Sequence, residues 1–135
     1  VSRLRGINFF YMNIDTSFAT EVTAMERLDL SDIMELQLRR GSIELRSFIA
    51  NKPELNVPLI ELSIDTSKRV ATGPFDLILR VRDHVPIDRN KNKTVATTYE
   101  LRRTARADVN EVDTIKAELR ELMSDFVVVF RQENP

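Results

Sequence analysis

The chain has 135 residues, 42% apolar and 30% charged, with 20 Lys/Arg against 21 Asp/Glu and a formal net charge of −1. That balance fits a folded chain with a core of its own and gives no long-range pull on nucleic acid or an anionic membrane. The absence of cysteine removes disulfides, thiol catalysis, Zn–Cys sites and iron–sulfur clusters, and no apolar run approaches the roughly 18 residues of a transmembrane span.

"INFFYMNID" (7–15) reads as a first strand, aromatic and β-branched, between Gly6 and Asp15-Thr16-Ser17. Ser17 or Thr16 is placed to cap a helix, although Glu21 lies four and five residues on rather than the three of a capping box. Phe18, Val22, Met25 and Leu28 recur at helical spacing. Ile33, Met34 and Leu38 continue the pattern to Gly41, which reads as a left-handed cap after Arg39-Arg40. Residues 17–40 are either one helix or two parted near Leu30-Ser31.

From Ser42 the period becomes two. "IELRSFIA" (43–50), "VPLIELSIDT" (57–66) and "PFDLILRVRD" (74–83) are short and branched, punctuated by Asn51-Lys52-Pro53, Gly73-Pro74 and Pro86. "KTVATTYELRRTARAD" (93–108) is a fourth such run, joined to the third by the polar "VPIDRNKNK", a connection that closes an antiparallel hairpin. Its odd positions, Val95, Thr97, Tyr99, Leu101, Arg103 and Ala105, are the more apolar and are expected to face helices, with Arg103 near the sheet margin. In the preceding strand Phe75, Leu77, Leu79 and Val81 alternate with Asp76, Ile78, Arg80 and Arg82. A register pairing residue 83 with about 97 sets Arg80 opposite Glu100.

After Asp108 or Asn110 as cap, Val112, Ile115, Leu119, Leu122, Phe126 and Val129 step by three or four, and Val127 and Val128 widen the stripe. This predicts a docked amphipathic helix over about 109–132. The order strand, helix, three or four antiparallel strands, helix predicts an α+β two-layer sandwich. One helical layer covers a mostly antiparallel sheet in a single domain, 1–135.

The chemistry is sparse. Residues 80–106 hold eight Lys/Arg against three acids, net +5, while 108–133 hold seven acids against three bases, net −4. Arg80, Arg82, Arg89, Lys91, Lys93, Arg102 and Arg106 are therefore the candidates for a surface that meets an anionic partner. The plainer reading makes the same residues the polar face of a half-solvated sheet. Tyr99 is the one aromatic of the fourth strand run and is assigned inward, so a stacking platform for nucleic acid is not expected. His84, the sole histidine, reads as a loop residue beside Pro86, and its neighbours Asp83 and Asp88 match no metal-ligand spacing. No nucleophile-elbow, Walker or dinucleotide glycine pattern occurs, so no catalytic, metal or cofactor residue is assigned. Asp15, Asp29 and Asp32 are read as serving backbone amides near helix starts.

By "LQLRRGSIEL", "VPLIELSIDT", "VATTYELRR" and "LRELMSDFVVVFRQENP" the chain resembles small exported bacterial proteins of unknown function. Its element order is also similar to that of the lipopolysaccharide-assembly lipoprotein of the outer membrane. The resemblance covers most of the chain from about residue 7, and its motifs are structural. It implies a periplasmic or outer-membrane-associated location. A removed signal peptide or lipid-bearing cysteine would lie upstream of Val1.

The expected function is a noncatalytic binding or assembly module of the bacterial cell envelope, with another envelope protein or an anionic surface as partner. Two alternatives stay open. One is a carrier of a small apolar or anionic ligand held between sheet and helices; the other is an enzyme using paired carboxylates.

Overall fold

The computed structural model describes residues 4–19, 22–49, 52, 56–66, 73–87, 89, 92–107 and 111–135. Its elements are β1 (Phe9–Phe18), α1 (Ala24–Arg40), β2 (Glu44–Arg46), β3 (Leu59–Asp65), β4 (Gly73–Pro86), β5 (Lys93–Ala107) and α2 (Glu111–Glu133). The expected α+β sandwich forms: two helices lie on one face of a five-stranded sheet of order β2-β1-β3-β4-β5. The sheet is mixed. β1 runs parallel to both β2 and β3, whereas β3–β4 and the longer β4–β5 ladder are antiparallel.

Alternation decides which face is buried. Phe10 and Ile14 of β1, Ile60, Leu62 and Ile64 of β3, and Phe75, Leu77, Leu79 and Val81 of β4 point to the helices. Against them α1 sets Leu30, Met34 and Leu38, each separated by four residues and therefore stacked on one side. α2 sets Ile115, Leu119, Leu122, Met123, Phe126 and Phe130. Phe126 is the centre of the contact: its ring meets Phe10 at 6.0 Å, Tyr99 at 5.9 Å and Phe130 at 6.1 Å, all between centroids. Asp29 pairs with Lys116 at 3.3 Å near the starts of both helices, and Gly41 meets Val127 near their ends, so the helices run in the same direction.

Several local expectations are corrected. β1 continues to Phe18, so the helix starts not at Ser17 or Thr16 but after Thr23. Thr23 Oγ1 accepts from the Glu26 amide at 3.2 Å, and Glu26 Oε1 accepts from the Thr23 amide at 3.1 Å, a complete capping box. Phe18, Met25 and Leu28 are accordingly exposed rather than members of the apolar stripe. The segment holds one helix, unbroken at Leu30-Ser31. At its end Gly41 is not left-handed (φ −80°, ψ 6°); Ser42 takes that conformation, with φ 62°. The Ile43 amide donates to Leu38 O and the Ser42 amide to Arg39 O, both at 3.0 Å, the paired bonds of a Schellman motif.

Of the described residues in the run 43–50, only Glu44–Arg46 form a strand, β2. Beyond it Ile49 is held by Asn56, whose Oδ1 accepts the Ile49 amide at 2.6 Å while Nδ2 donates to Ile49 O and Lys52 O. Val128 is 54% exposed and does not widen the buried stripe, whereas Val127 packs on α1. The expected caps Asp108 and Asn110 lie outside the described residues.

Candidate functional site

The face of the sheet turned away from the helices is charged. On β3 it carries Glu61, Ser63 and Asp65; on β4, Asp76, Ile78, Arg80 and Arg82; on β5, Glu100, Arg102 and Thr104. Arg80 does sit opposite Glu100, with Nε donating to Glu100 Oε1 at 3.0 Å and Nη1 to Ser63 Oγ at 3.3 Å. Arg82 lies 3.6 Å from Glu61, which also accepts from Asn13 Nδ2 at 3.1 Å. The Arg82 Nε is buried without a hydrogen-bond partner among the described residues.

The ladder does not keep its register to the hairpin tip. Val81 pairs with Tyr99 but Arg82 pairs with Thr97, so Thr98 is an extra residue in β5. Its hydroxyl donates to Val81 O at 3.3 Å. One inserted residue reverses the alternation beyond it. Tyr99, Leu101, Arg103 and Ala105 face the helices as expected, but Thr97 and Val95 come to the face of Arg82, and Val95 is 42% exposed. Residue 83 consequently pairs with Ala96, one position from the expected 97. The same shift brings Lys93 onto the face that carries Arg82, Arg102 and Arg106.

His84 is not a loop residue: the β4–β5 ladder runs on to Pro86↔Lys93, and His84 stands in β4 opposite Val95, its amide donating to Asp83 Oδ1 at 2.8 Å. Arg103 keeps its aliphatic stem against the helical layer, but its head is bound by Glu118 and Glu121 of α2 rather than left to water. Those carboxylates raise its pKa, the hydrogen bond to Glu118 being the largest cause.

The seven candidate cations therefore have different surroundings. Arg80 and Arg82 are countered by Glu100 and Glu61. Arg89 is exposed in the connection after β4, and Lys91 lies outside the described residues. Lys93, Arg102 and Arg106 are exposed on the open face and make no ion pair among the described residues. The sequence pattern set Glu100 opposite Arg80, with Asp76 on the same face, but it did not single out the acids of β3, Glu61 and Asp65. Glu61 and Asp65 alternate in "LIELSID" as Asp76, Arg80 and Arg82 do in the next strand, so parity alone could have found both.

Arg80, Arg82 and Arg102 line a depression of about 570 Å³ together with Asp15, Glu61, Asp65 and Asp76. Its charged lining is acidic on β1 and β3, mixed on β4 and basic on β5. Asp65 and Asp76 are directly opposite in the β3–β4 ladder, and Asp76 accepts from Thr104 Oγ1 at 2.5 Å. Asp15 is held below the usual carboxylate range by hydrogen bonds from the Ser17 side chain and amide, with Arg27 and Arg80 contributing. The space between sheet and helices is filled by Phe10, Phe126 and Met34, each at 0% exposure, and by the core residues around them. Among the described residues no group of three His, Asp or Glu side chains could hold a metal ion, and no helix is long and apolar enough to cross a membrane.

No protein-family model matches the chain, and no curated protein matches it. Among solved structures it is similar to a PelC dodecamer from Paraburkholderia phytofirmans, at 12% identity and TM-score 0.48, over 92% of this chain and 90% of that one. It is also similar to rare lipoprotein B from Shewanella oneidensis, at 15% identity and TM-score 0.33, over 90% of this chain and 91% of that one. The latter leaves the lipoprotein resemblance read in the sequence as a distant structural likeness. Neither match bears on chemistry.

Proposed function

We propose that the chain is a noncatalytic binding or assembly module of the bacterial cell envelope, periplasmic or outer-membrane-associated. It would meet another envelope component of acidic character through the open face of the β4–β5 hairpin. The observation that carries this reading is the gathering of Lys93, Arg102 and Arg106 on one face, exposed and without ion pairs among the described residues, beside Arg82. Exposed cations that serve no internal carboxylate are available to an outside one. The envelope location rests on the resemblance to small exported bacterial proteins.

The test is photo-crosslinking in the source cells from positions 89 and 95 of the full-length protein, followed by fractionation. Capture of an envelope component is expected. Lys93→Ala with Arg106→Ala should weaken that capture and reduce its salt dependence without changing the thermal transition. Recovery of the full-length protein from the cytosol, or capture indifferent to both substitutions, would overturn the reading.

A further inference from the structure

We propose that β5 joins two copies of this chain, antiparallel, about a twofold axis through Leu101. This pairing is independent of the envelope reading. β5 has 15 residues and closes one side of the sheet, with no strand on its outer edge among the described residues. Strands of about 5–6 residues are usual. An edge of this length presents a long row of outward amide and carbonyl groups, a template for another strand unless something blocks it.

Charges are the usual block, and β5 is rich in arginine. Their positions, however, are self-complementary. In a pairing that extends the sheet about a twofold axis, directly opposite residues share a face, so the axis must pass through a residue rather than between two. An axis at Glu100, Arg102 or Arg103 sets a charge against its own copy. An axis at Thr104 sets Arg102 against Arg106, and one at Tyr99 forms no ion pair. At Leu101, Glu100 falls opposite Arg102 of the second copy, and the symmetry makes that pair twice. Tyr99 falls opposite Arg103 of the second copy, whose charge is already met by Glu118 and Glu121 of its own α2. Arg102, without an ion pair among the described residues of its own chain, thereby gains a carboxylate, which Glu100 shares with Arg80 at 3.0 Å. Lys93, Arg82 and Arg106 of both copies stay on one continuous open face.

Sedimentation of the protein from micromolar to millimolar concentration tests the pairing. The unaltered chain should dimerise. Arg102→Glu, and separately Glu100→Arg, should each raise the dissociation constant at least about tenfold, since two attractions become two repulsions. An equimolar mixture of the two variants should restore association, because each strand then meets the opposite sign at both positions. Arg102→Glu removes no ion pair among the described residues, so its fold should be retained. Should Glu100→Arg disturb Arg80 and fail to fold, a nitroxide on Thr104→Cys, which leaves Glu100 and Arg102 in place, replaces it in a chain that has no other cysteine. Dipolar broadening at that position, and none for a label at Lys93→Cys, is expected. A monomer throughout, single variants that dimerise like the parent, a mixture that does not associate, or unbroadened label spectra would each overturn the proposal.

Discussion

Gly41 and Ser42 end α1 together, with roles opposite to those their side chains suggest. Glycine is favoured where φ is positive, yet here Ser42 carries φ 62° and Gly41 has an ordinary backbone. What requires glycine at 41 is space: an added Cβ would stand 2.6 Å from Val127 Cγ1 and 3.3 Å from Leu38 O. Gly41→Ala should therefore lower stability by about 1–3 kcal/mol, the range for overpacking. In denaturant titration Gly41→Ala with Val127→Ala should lose less than the sum of the single losses. Strict additivity would show that the contact with α2 is not the cause. The backbone pattern "RRGS" marks a helix end, but nothing in it tells a steric glycine from a conformational one.

A second prediction at this scale concerns Asp15. Its Oδ1 accepts the Ser17 amide at 2.9 Å, and its folded pKa lies below the ordinary value. A lowered folded pKa means that the carboxylate contributes stability above its unfolded pKa of about 3.9 and loses it as pH falls toward the folded value. Asp15→Asn keeps an acceptor for the amide but not the charge. Its destabilisation, read from urea midpoints, should be present at neutral pH and shrink below about pH 4. A gap independent of pH would assign the effect to geometry alone.

Among the elements, those governed by short-range periodicity were legible. β3 and β4 follow their alternation, α2 follows its three-four spacing, and the Arg80–Glu100 pairing follows from hairpin register. The bulge at Thr98 was not, because "TVATTYEL" alternates no differently whether or not one threonine is left out of the ladder. That single residue decides which face carries Lys93, Val95 and Thr97, and so it decides the composition of the candidate site. α1 was half legible: Leu30, Met34 and Leu38 are buried, but Met25 and Leu28 mimic the pattern while 73% and 59% exposed. The strand extension through Phe18 displaced the start of the helix, and a tertiary pairing, Phe18↔Asp65, holds that extension. Leu119, at 0% exposure, and Leu28 provide the contrast. Leu119→Ala should cost roughly 2–5 kcal/mol in an equilibrium unfolding measurement, and Leu28→Ala within about 0.5. Similar losses at both sites would contradict the burial pattern.

At the scale of the whole molecule the strand order depends on contacts far apart in sequence. β1 lies between β2 and β3, where Phe10 reaches both Phe126 and Phe130 of α2, at 6.0 and 5.7 Å. No local pattern encodes that neighbourhood. The end of α2 also holds the segment before β1. Asn134 Oδ1 accepts from the Gly6 amide at 2.7 Å, while Nδ2 donates to Leu4 O at 2.8 Å and to Phe130 O at 3.1 Å. The Leu4 amide donates to Glu133 Oε2 at 3.2 Å, and the Leu4 side chain is fully buried in the core. One amide group thus satisfies groups at both ends of the chain, with its carbonyl and its two N–H bonds each used in a distinct direction. Asn134→Ala should cost about 1–3 kcal/mol and speed hydrogen exchange at the Gly6 amide. Asn134→Asp separates the two roles: the carboxylate still accepts from Gly6 but has no donor for Leu4 O and Phe130 O. Protection at Gly6 should then survive while stability falls as it does for alanine. If both variants leave stability unchanged, the packing of Leu4 holds the segment without the clamp. If Asn134→Asp loses protection at Gly6 as well, the donor half of the amide positions the acceptor half.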